Sequence, residues 1–277
     1  MLKQRVLTAL VLVGLLLPAL FASSPWPFAV FALAGFAAAG WEWARLNGAQ
    51  GFAPVIGLVL AAACAAAFAV GWVDEAPAQA WWLATAAWIL GGILALRLGP
   101  AGWPSLPRPI RWALGIVLLW TAWLAIVHAR SIGINFILSV FSLVWAADTA
   151  AYFGGRALGR RKLAPSISPG KSWEGVWSGM LGGLIVAVLW LAGERLLGVD
   201  SQSLYRVLLE RLGIVGVVFG VTFLAAMSVV GDLFESLVKR NAGAKDSSSL
   251  LPGHGGVLDR IDALLPVFPI ALALVSF

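Results

Sequence analysis

Long apolar runs alternate with short polar connectors along the chain. Residues 6–22, 28–43, 54–73, 79–96, 111–127, 132–152, 176–193, 213–231 and 263–277 are mainly apolar. Each is roughly long enough to cross a ~30 Å hydrocarbon layer. A helix closes its own backbone hydrogen bonds in lipid, so the pattern predicts an all-α polytopic membrane protein of about nine transmembrane helices. Lys3 and Arg5 precede the first run, which alone fits a signal peptide or an anchor; the later spans favour an uncleaved anchor. The connector GPAGWPSLPRP at 99–109 reads as a loop. No linker separates soluble units and no internal repeat is evident. Residues 1–277 thus form one integral-membrane domain, with N-terminal spans in 1–130 and the candidate catalytic portion in 131–277.

Composition agrees with this class. Hydrophobic residues make up 61% of the chain, charged residues 12%, and the mean hydropathy is +0.92; a soluble domain is about 25% charged. The 15 Trp suit membrane-interface belts. The single Cys64 excludes an intrachain disulfide and a cysteine metal cluster. A net charge of +6 would suit nucleic acid, but there is no soluble basic domain to bind it. With the N-terminus inside, nine crossings leave only Arg130, Arg195, Arg206 and Arg211 of the 19 Lys and Arg outside. That positive-inside bias turns the main polar segment towards the cytoplasm.

The polar segment spans 232–262 and gathers Asp232, Glu235, Lys239, Arg240, Lys245, Asp246, His254, Asp259, Arg260 and Asp262. Charge concentrated in a chain otherwise suited to lipid points to function. If the span ending near Gly231 continues as helix, Asp232, Glu235, Ser236 and Lys239 form one polar face able to meet a metal-bound phosphate. Asn241 and Gly243 then break the helix. In Gly253-His254-Gly255-Gly256 the backbone can take conformations closed to other residues and offer N–H groups to phosphate. Asp259 and Asp262 follow one turn apart. Carboxylates with no Cys and one nearby His favour a hard cation such as Mg²⁺ over zinc.

A second polar constellation runs from 148 to 175. Asp148 and Tyr152 share a helical face, and Arg156, Arg160, Arg161 and Lys162 follow. Ser168-Pro169-Gly170-Lys171-Ser172 suits an anionic phosphate or lipid headgroup. It is not a Walker loop, because Pro165 stands where that motif needs Gly. Gly175, Gly179 and Gly183 form a stripe for helix packing, within one chain or in a homodimer. In the first half, Glu42 between Trp41 and Trp43 reads as an interfacial residue paired with Arg45.

The run Ser236-Leu-Val-Lys239-Arg240, then Lys245-Asp246, then Leu251-Pro252-Gly253-His254-Gly255-Gly256-Val-Leu-Asp259-Arg260-Ile-Asp262 resembles the signature of bacterial phosphatidate cytidylyltransferases. The upstream Asp148, Tyr152, Gly155-Arg156 and 168–175 resemble a second block of that family. The resemblance implies conversion of CTP and phosphatidate to CDP-diacylglycerol and pyrophosphate with Mg²⁺, in a bacterial inner membrane. It implies Asp232 and Asp259 as metal-binding carboxylates, with Asp246 and Asp262 beside them. It assigns Lys239, Arg240, Lys245 and Arg260 to substrate phosphates and His254, Gly255 and Gly256 to the nucleotide site. Ser168, Lys171 and Ser172 go to the lipid phosphate, and Ser236, Asp148, Tyr152 and Arg156 complete the substrate set. The alternatives are a CTP-dependent polyprenol-type lipid kinase and a membrane transporter.

Overall fold

The computed structural model describes residues 2–276, without the side chains of residues 2 and 3. The Lys3 side chain, counted among the inner cations, and Phe277, the expected end of the last span, lie outside the described residues. The helices are α1 (Leu2–Leu20), α2 (Trp26–Leu46), α3 (Ala53–Ala69), α4 (Ala78–Gly102), α5 (Arg108–Ile132), α6 (Ile134–Leu158), α7 (Trp173–Gly193), α8 (Leu204–Asn241), the single turn α9 (Leu258–Ile261) and α10 (Leu264–Val275). Six of them, α3 to α8, are long and apolar enough to cross a membrane, α3 and α4 with their flanking 3₁₀ turns.

The helix ends gather at two poles. At one, Glu42 of α2 meets residues 247–258, Asn241 of α8 meets Pro100, and Trp103 meets Asn47. At the other, Arg130 meets Leu20 and Ala22, residues 134–136 meet Asp200 and Ser201, and Arg211 meets Val275. The first pole is called the inner pole below, and the candidate chemistry lies there.

The all-α expectation needs one correction. At the inner pole β1 (Lys162–Ala164) and β2 (Ser168–Ser172) form an antiparallel hairpin, with Lys162 opposite Ser172 and Ala164 opposite Ser168. Ile167 anchors it by burying its side chain. Pro165 sits in the connecting turn, and Pro169 is tolerated because a two-stranded sheet consists only of edges. Two of the expected boundaries are kinks. Gly99 and Gly213 adopt φ of 65° and 67° inside α4 and α8, a left-handed conformation that costs glycine little. The segment before Gly213 is thus a short surface helix leading into the long span.

α10 is the hub, its residues from Leu264 to Ala273 all buried. α6 and α7 pack backbone to backbone. A Cβ on Gly179 would lie 2.9 Å from the Ala147 carbonyl oxygen, so this part of the stripe works within the chain. The Trp residues divide between two roles. Trp26, Trp173 and Trp177 are exposed near helix ends, where an interface belt would lie, and Trp145 is exposed in the middle of α6, whereas Trp43, Trp81, Trp88, Trp103 and Trp123 are core. Near the inner pole Phe234 of α8 stacks on Trp43 and meets Trp88 and Trp103 edge-on, with centroids 5.5–5.8 Å apart. This clamp lies between Asp232 and Glu235 in sequence and fixes the rotation of α8.

Candidate active site

A cavity of about 490 Å³ opens between the hairpin and helices α6, α7 and α8. α6 contributes Asp148, Tyr152, Gly155 and Arg156, and β2 contributes Ser168, Gly170, Lys171 and Ser172. α7 adds Gly175 and Val176, and α8 adds Val229 and Asp232. Asp148 and Tyr152 line it together because they lie one turn apart on α6. Lys171 reaches across from the hairpin, its Nζ 2.7 Å from Asp232 Oδ2. The Ser236 hydroxyl donates to the other Asp232 oxygen at 3.3 Å. Ser172 also caps α7, its Oγ accepting from the Gly175 amide at 3.2 Å. Glu174 fastens the basic turn before the hairpin by accepting the amides of Arg160 and Arg161.

A second, tighter cluster surrounds Asp259. Lys239 Nζ lies 2.5 Å from Glu235 Oε2 and 2.6 Å from Asp259 Oδ1. Asp259 Oδ2 accepts from the Ser247 amide (2.9 Å), the Ser247 hydroxyl (2.8 Å) and the Gly256 amide (2.8 Å). Burial alone would raise the Asp259 carboxyl; Lys239 and those two amides outweigh it and hold the group at about 2. Asp262 lies between the clusters, because Gly231 lets α10 come close to α8: a Cβ there would be driven into the Asp262 carbonyl oxygen and Pro266. Burial, and after it the Asp232 carboxylate, push the Asp262 carboxyl up to about 7.

The signature loop is closed on itself. The His254 amide donates to the Leu251 carbonyl and the Leu251 amide to the Gly255 carbonyl, both at 2.8 Å. Gly253 and Gly255 adopt φ of 78° and 84°, as the glycine pattern predicts. The amides of His254 and Gly256, expected to face phosphate, are committed inside the protein. Arg260 donates through Nε and Nη2 to the His254 carbonyl. The His254 Nδ1 atom is buried and has no hydrogen-bond partner among the described residues. Lys245 and Asp246 are exposed on the loop. Arg240 is committed to the Ile167 and Ala244 carbonyls at 3.3 and 3.0 Å, tying the hairpin to the end of α8.

The sequence pattern of the cytidylyltransferase family matches residues 3–277. The chain belongs to the cytidylyltransferase family. It is 41% identical to a phosphatidate cytidylyltransferase of Pseudomonas aeruginosa over 278 aligned residues, 99% of this chain and 97% of that protein. A phosphatidate cytidylyltransferase of Haemophilus influenzae is 36% identical over 291 aligned residues, 97% and 96% of the two chains.

In this cytidylyltransferase the predicted residues fall into two connected groups. Asp148, Tyr152, Arg156, Ser168, Lys171, Ser172 and Asp232 line the cavity, with Ser236 behind Asp232. Lys239, Asp259, Gly255, Gly256, His254 and Arg260 belong to the loop cluster. Lys239, read as a phosphate ligand, sits between two carboxylates. Among the described residues no three His, Cys, Asp or Glu side chains form a ready metal cage. Mg²⁺ takes oxygen ligands and completes its shell with water and substrate phosphates, so the carboxylates are the groups here that could hold it. Asp232 and Asp148 line the cavity, Asp262 stands near Asp232, and Asp259, expected as a metal ligand, has both oxygens taken by protein donors.

Glu42 is the residue that sequence reasoning misplaced. It is fully buried, and Arg45 instead lies over the Trp41 ring at 4.7 Å. Its carboxylate accepts from Ser247 Oγ (3.2 Å), Ser248 Oγ (2.5 Å), the Val257 amide (3.0 Å) and the Leu258 amide (2.7 Å). The available signal was a lone carboxylate inside an apolar run, which requires donors if the helix is buried.

Proposed function

We propose that this protein transfers the cytidylyl group of CTP to phosphatidate, releasing pyrophosphate and leaving CDP-diacylglycerol in the membrane. The observation that carries the reading is the cavity lined by Lys171, Arg156, Asp148 and Asp232, with Ser236 of the signature bonded to Asp232. A phosphatidate phosphate is ionised at neutral pH, so its oxygen attacks the α-phosphorus of CTP without a side-chain nucleophile. A new P–O bond forms there as the bond to the β-phosphate breaks. The catalytic task is to bring two polyanions together and to stabilise the leaving pyrophosphate.

Lys171, Ser168 and Arg156 hold the lipid phosphate, with the acyl chains leaving past exposed Tyr152. Lys245 and Arg260 receive the nucleotide from the loop side, where His254 and its glycines shape the site. Asp232 and Asp262 would hold Mg²⁺, with Asp259 holding Lys239 and the loop in register. Bound there, the ion would neutralise triphosphate charge as a Lewis acid. As substrate phosphate enters, Lys171 exchanges Asp232 for the phosphate.

Nine crossings with the inner pole in the cytoplasm give CTP access from water and keep the diacylglycerol in the bilayer. On this reading the chain works in a bacterial inner membrane. Purified protein given phosphatidate, CTP and Mg²⁺ in detergent should form CDP-diacylglycerol and pyrophosphate in equal amounts. Folded protein that forms neither would overturn the assignment.

A further inference from the structure

We infer that Glu42, on the second helix of the N-terminal half, is a positioning residue for the nucleotide-binding loop, holding residues 247–258 so that this loop can receive the CTP phosphates. The inference rests on the cytidylyltransferase reading and extends the site into the half of the chain that carries none of the signature. Glu42 is separated from Ser247 by 205 positions, yet each of its oxygens takes one serine hydroxyl and one backbone amide. Oε1 accepts from Ser248 Oγ and the Val257 amide; Oε2 accepts from Ser247 Oγ and the Leu258 amide.

Both carboxylate oxygens act as acceptors here. All four partners offer a donor, and the two amides cannot reverse their roles, so an acceptor is required on both sides. The Ser247 hydroxyl stands between Glu42 at 3.2 Å and Asp259 Oδ2 at 2.8 Å. Its one hydrogen is shared between the two carboxylates, with the shorter contact to Asp259. Ser247 thus links the Glu42 and Asp259 anchors of the loop, and Lys239 continues the chain of contacts to Glu235. The Leu258 amide opens α9, so the same carboxylate sets the start of the turn that presents Asp259 and Arg260.

Gly256 fits the arrangement independently. A Cβ there would meet Ser247 Oγ and the Glu42 carboxylate at distances no side chain tolerates. The glycine therefore lets the loop backbone close onto Glu42. α1 supports the loop from outside, with Thr8 Oγ1 donating to the Pro252 carbonyl at 3.1 Å and Arg5 packed against Gly253.

The test compares Glu42→Gln, Glu42→Ala and Ser248→Ala in detergent by steady-state kinetics and by trypsin cleavage after Lys245 and Arg260, with and without CTP and Mg²⁺. Glutamine keeps the length but turns an NH₂ group towards one of the two amides. KM for CTP should rise in the order wild type, Glu42→Gln, Glu42→Ala, by about tenfold for Glu42→Gln, while KM for phosphatidate stays within about twofold. Loop cleavage should speed up, and CTP should protect the variants less than wild type. Ser248→Ala, which leaves the carboxylate in place, should show the same effects in smaller measure and decides the matter if the Glu42 variants do not fold. A purely structural role would lower the active fraction with KM for CTP unmoved; that result, or unchanged cleavage in Ser248→Ala, overturns the inference. A wild type that makes no CDP-diacylglycerol fails the functional reading alone, because the cleavage comparison still reports whether Glu42 holds the loop.

Discussion

Lys171 on the hairpin and Asp232 on α8 close a 2.7 Å ion pair across the mouth of the cavity, joining two segments 61 positions apart in the chain. Both groups are partly exposed, with 27% and 36% of their side-chain surface accessible, so the pair adds little to stability. Its place at the cavity fits a different use, in which Lys171 leaves Asp232 for a substrate phosphate. Lys171→Met should lower kcat/KM for phosphatidate by on the order of 100-fold while the protein remains folded, with Lys171→Arg intermediate. Retention of near-normal kcat/KM in Lys171→Met would remove Lys171 from the lipid-phosphate role.

Asp259 predicts a different phenotype, because its partner Lys239 is buried with it. Asp259→Asn leaves the ammonium short of one anion and the Ser247 and Gly256 amides facing a weaker acceptor. Loss of turnover and a stability loss of about 3 kcal/mol are expected.

The pH dependence of that stability loss follows from the depressed pKa. The folded value of about 2 lies below the ordinary ~3.9. The contribution is therefore complete above the ordinary value and fades as pH falls towards the folded one. The melting difference between wild type and Asp259→Asn should stay constant from about pH 7 to about pH 5 and shrink below about pH 4. A difference that collapses already between neutrality and pH 5 would contradict the arrangement.

Gly231 sets how near α10 and Asp262 approach Asp232. Gly231→Val should push α10 away, costing on the order of 1–3 kcal/mol by overpacking and reducing activity more than stability predicts. Thermal melts and turnover measured on the same preparation separate the two effects. Unchanged activity would show that the Asp232 and Asp262 spacing does not matter.

The proposed topology can be read with a membrane-impermeant maleimide. Ser249→Cys, exposed at the inner pole, should label only in inverted vesicles, and Gly198→Cys, exposed at the other pole, only in right-side-out cells. Native Cys64 is fully buried and should stay unlabelled in both. The reverse pattern would invert the orientation.

The physics of each element decided what could be read from the sequence. Apolar runs mark helices in lipid with little ambiguity, and nine such runs correspond to the nine helices of at least three turns among the described residues. The polar face of α8 followed from spacing alone, since Asp232 to Ser236 and Glu235 to Lys239 are contacts one turn apart. The hairpin was hidden because its strands hold three and five residues and its prolines carry the local signal of a loop. Glu42 was hidden for another reason. A carboxylate at the end of an apolar helix looks the same whether it faces water or a loop brought in from the far end of the chain, and only tertiary contact separates the two. The commitment of Lys239 and of the His254 and Gly256 amides likewise depends on which donors and acceptors the fold brings together.

The central claim is that the α-phosphorus of CTP is the atom attacked and that pyrophosphate is what leaves. The most direct test incubates the purified protein with phosphatidate and CTP labelled separately on the α- and γ-phosphates, with Mg²⁺ and after its removal by chelation. Mg²⁺-dependent transfer of the α-label to the lipid, with the γ-label recovered as pyrophosphate, is the predicted result. Appearance of the γ-label in the lipid would mean phosphoryl transfer by a kinase and would contradict the account.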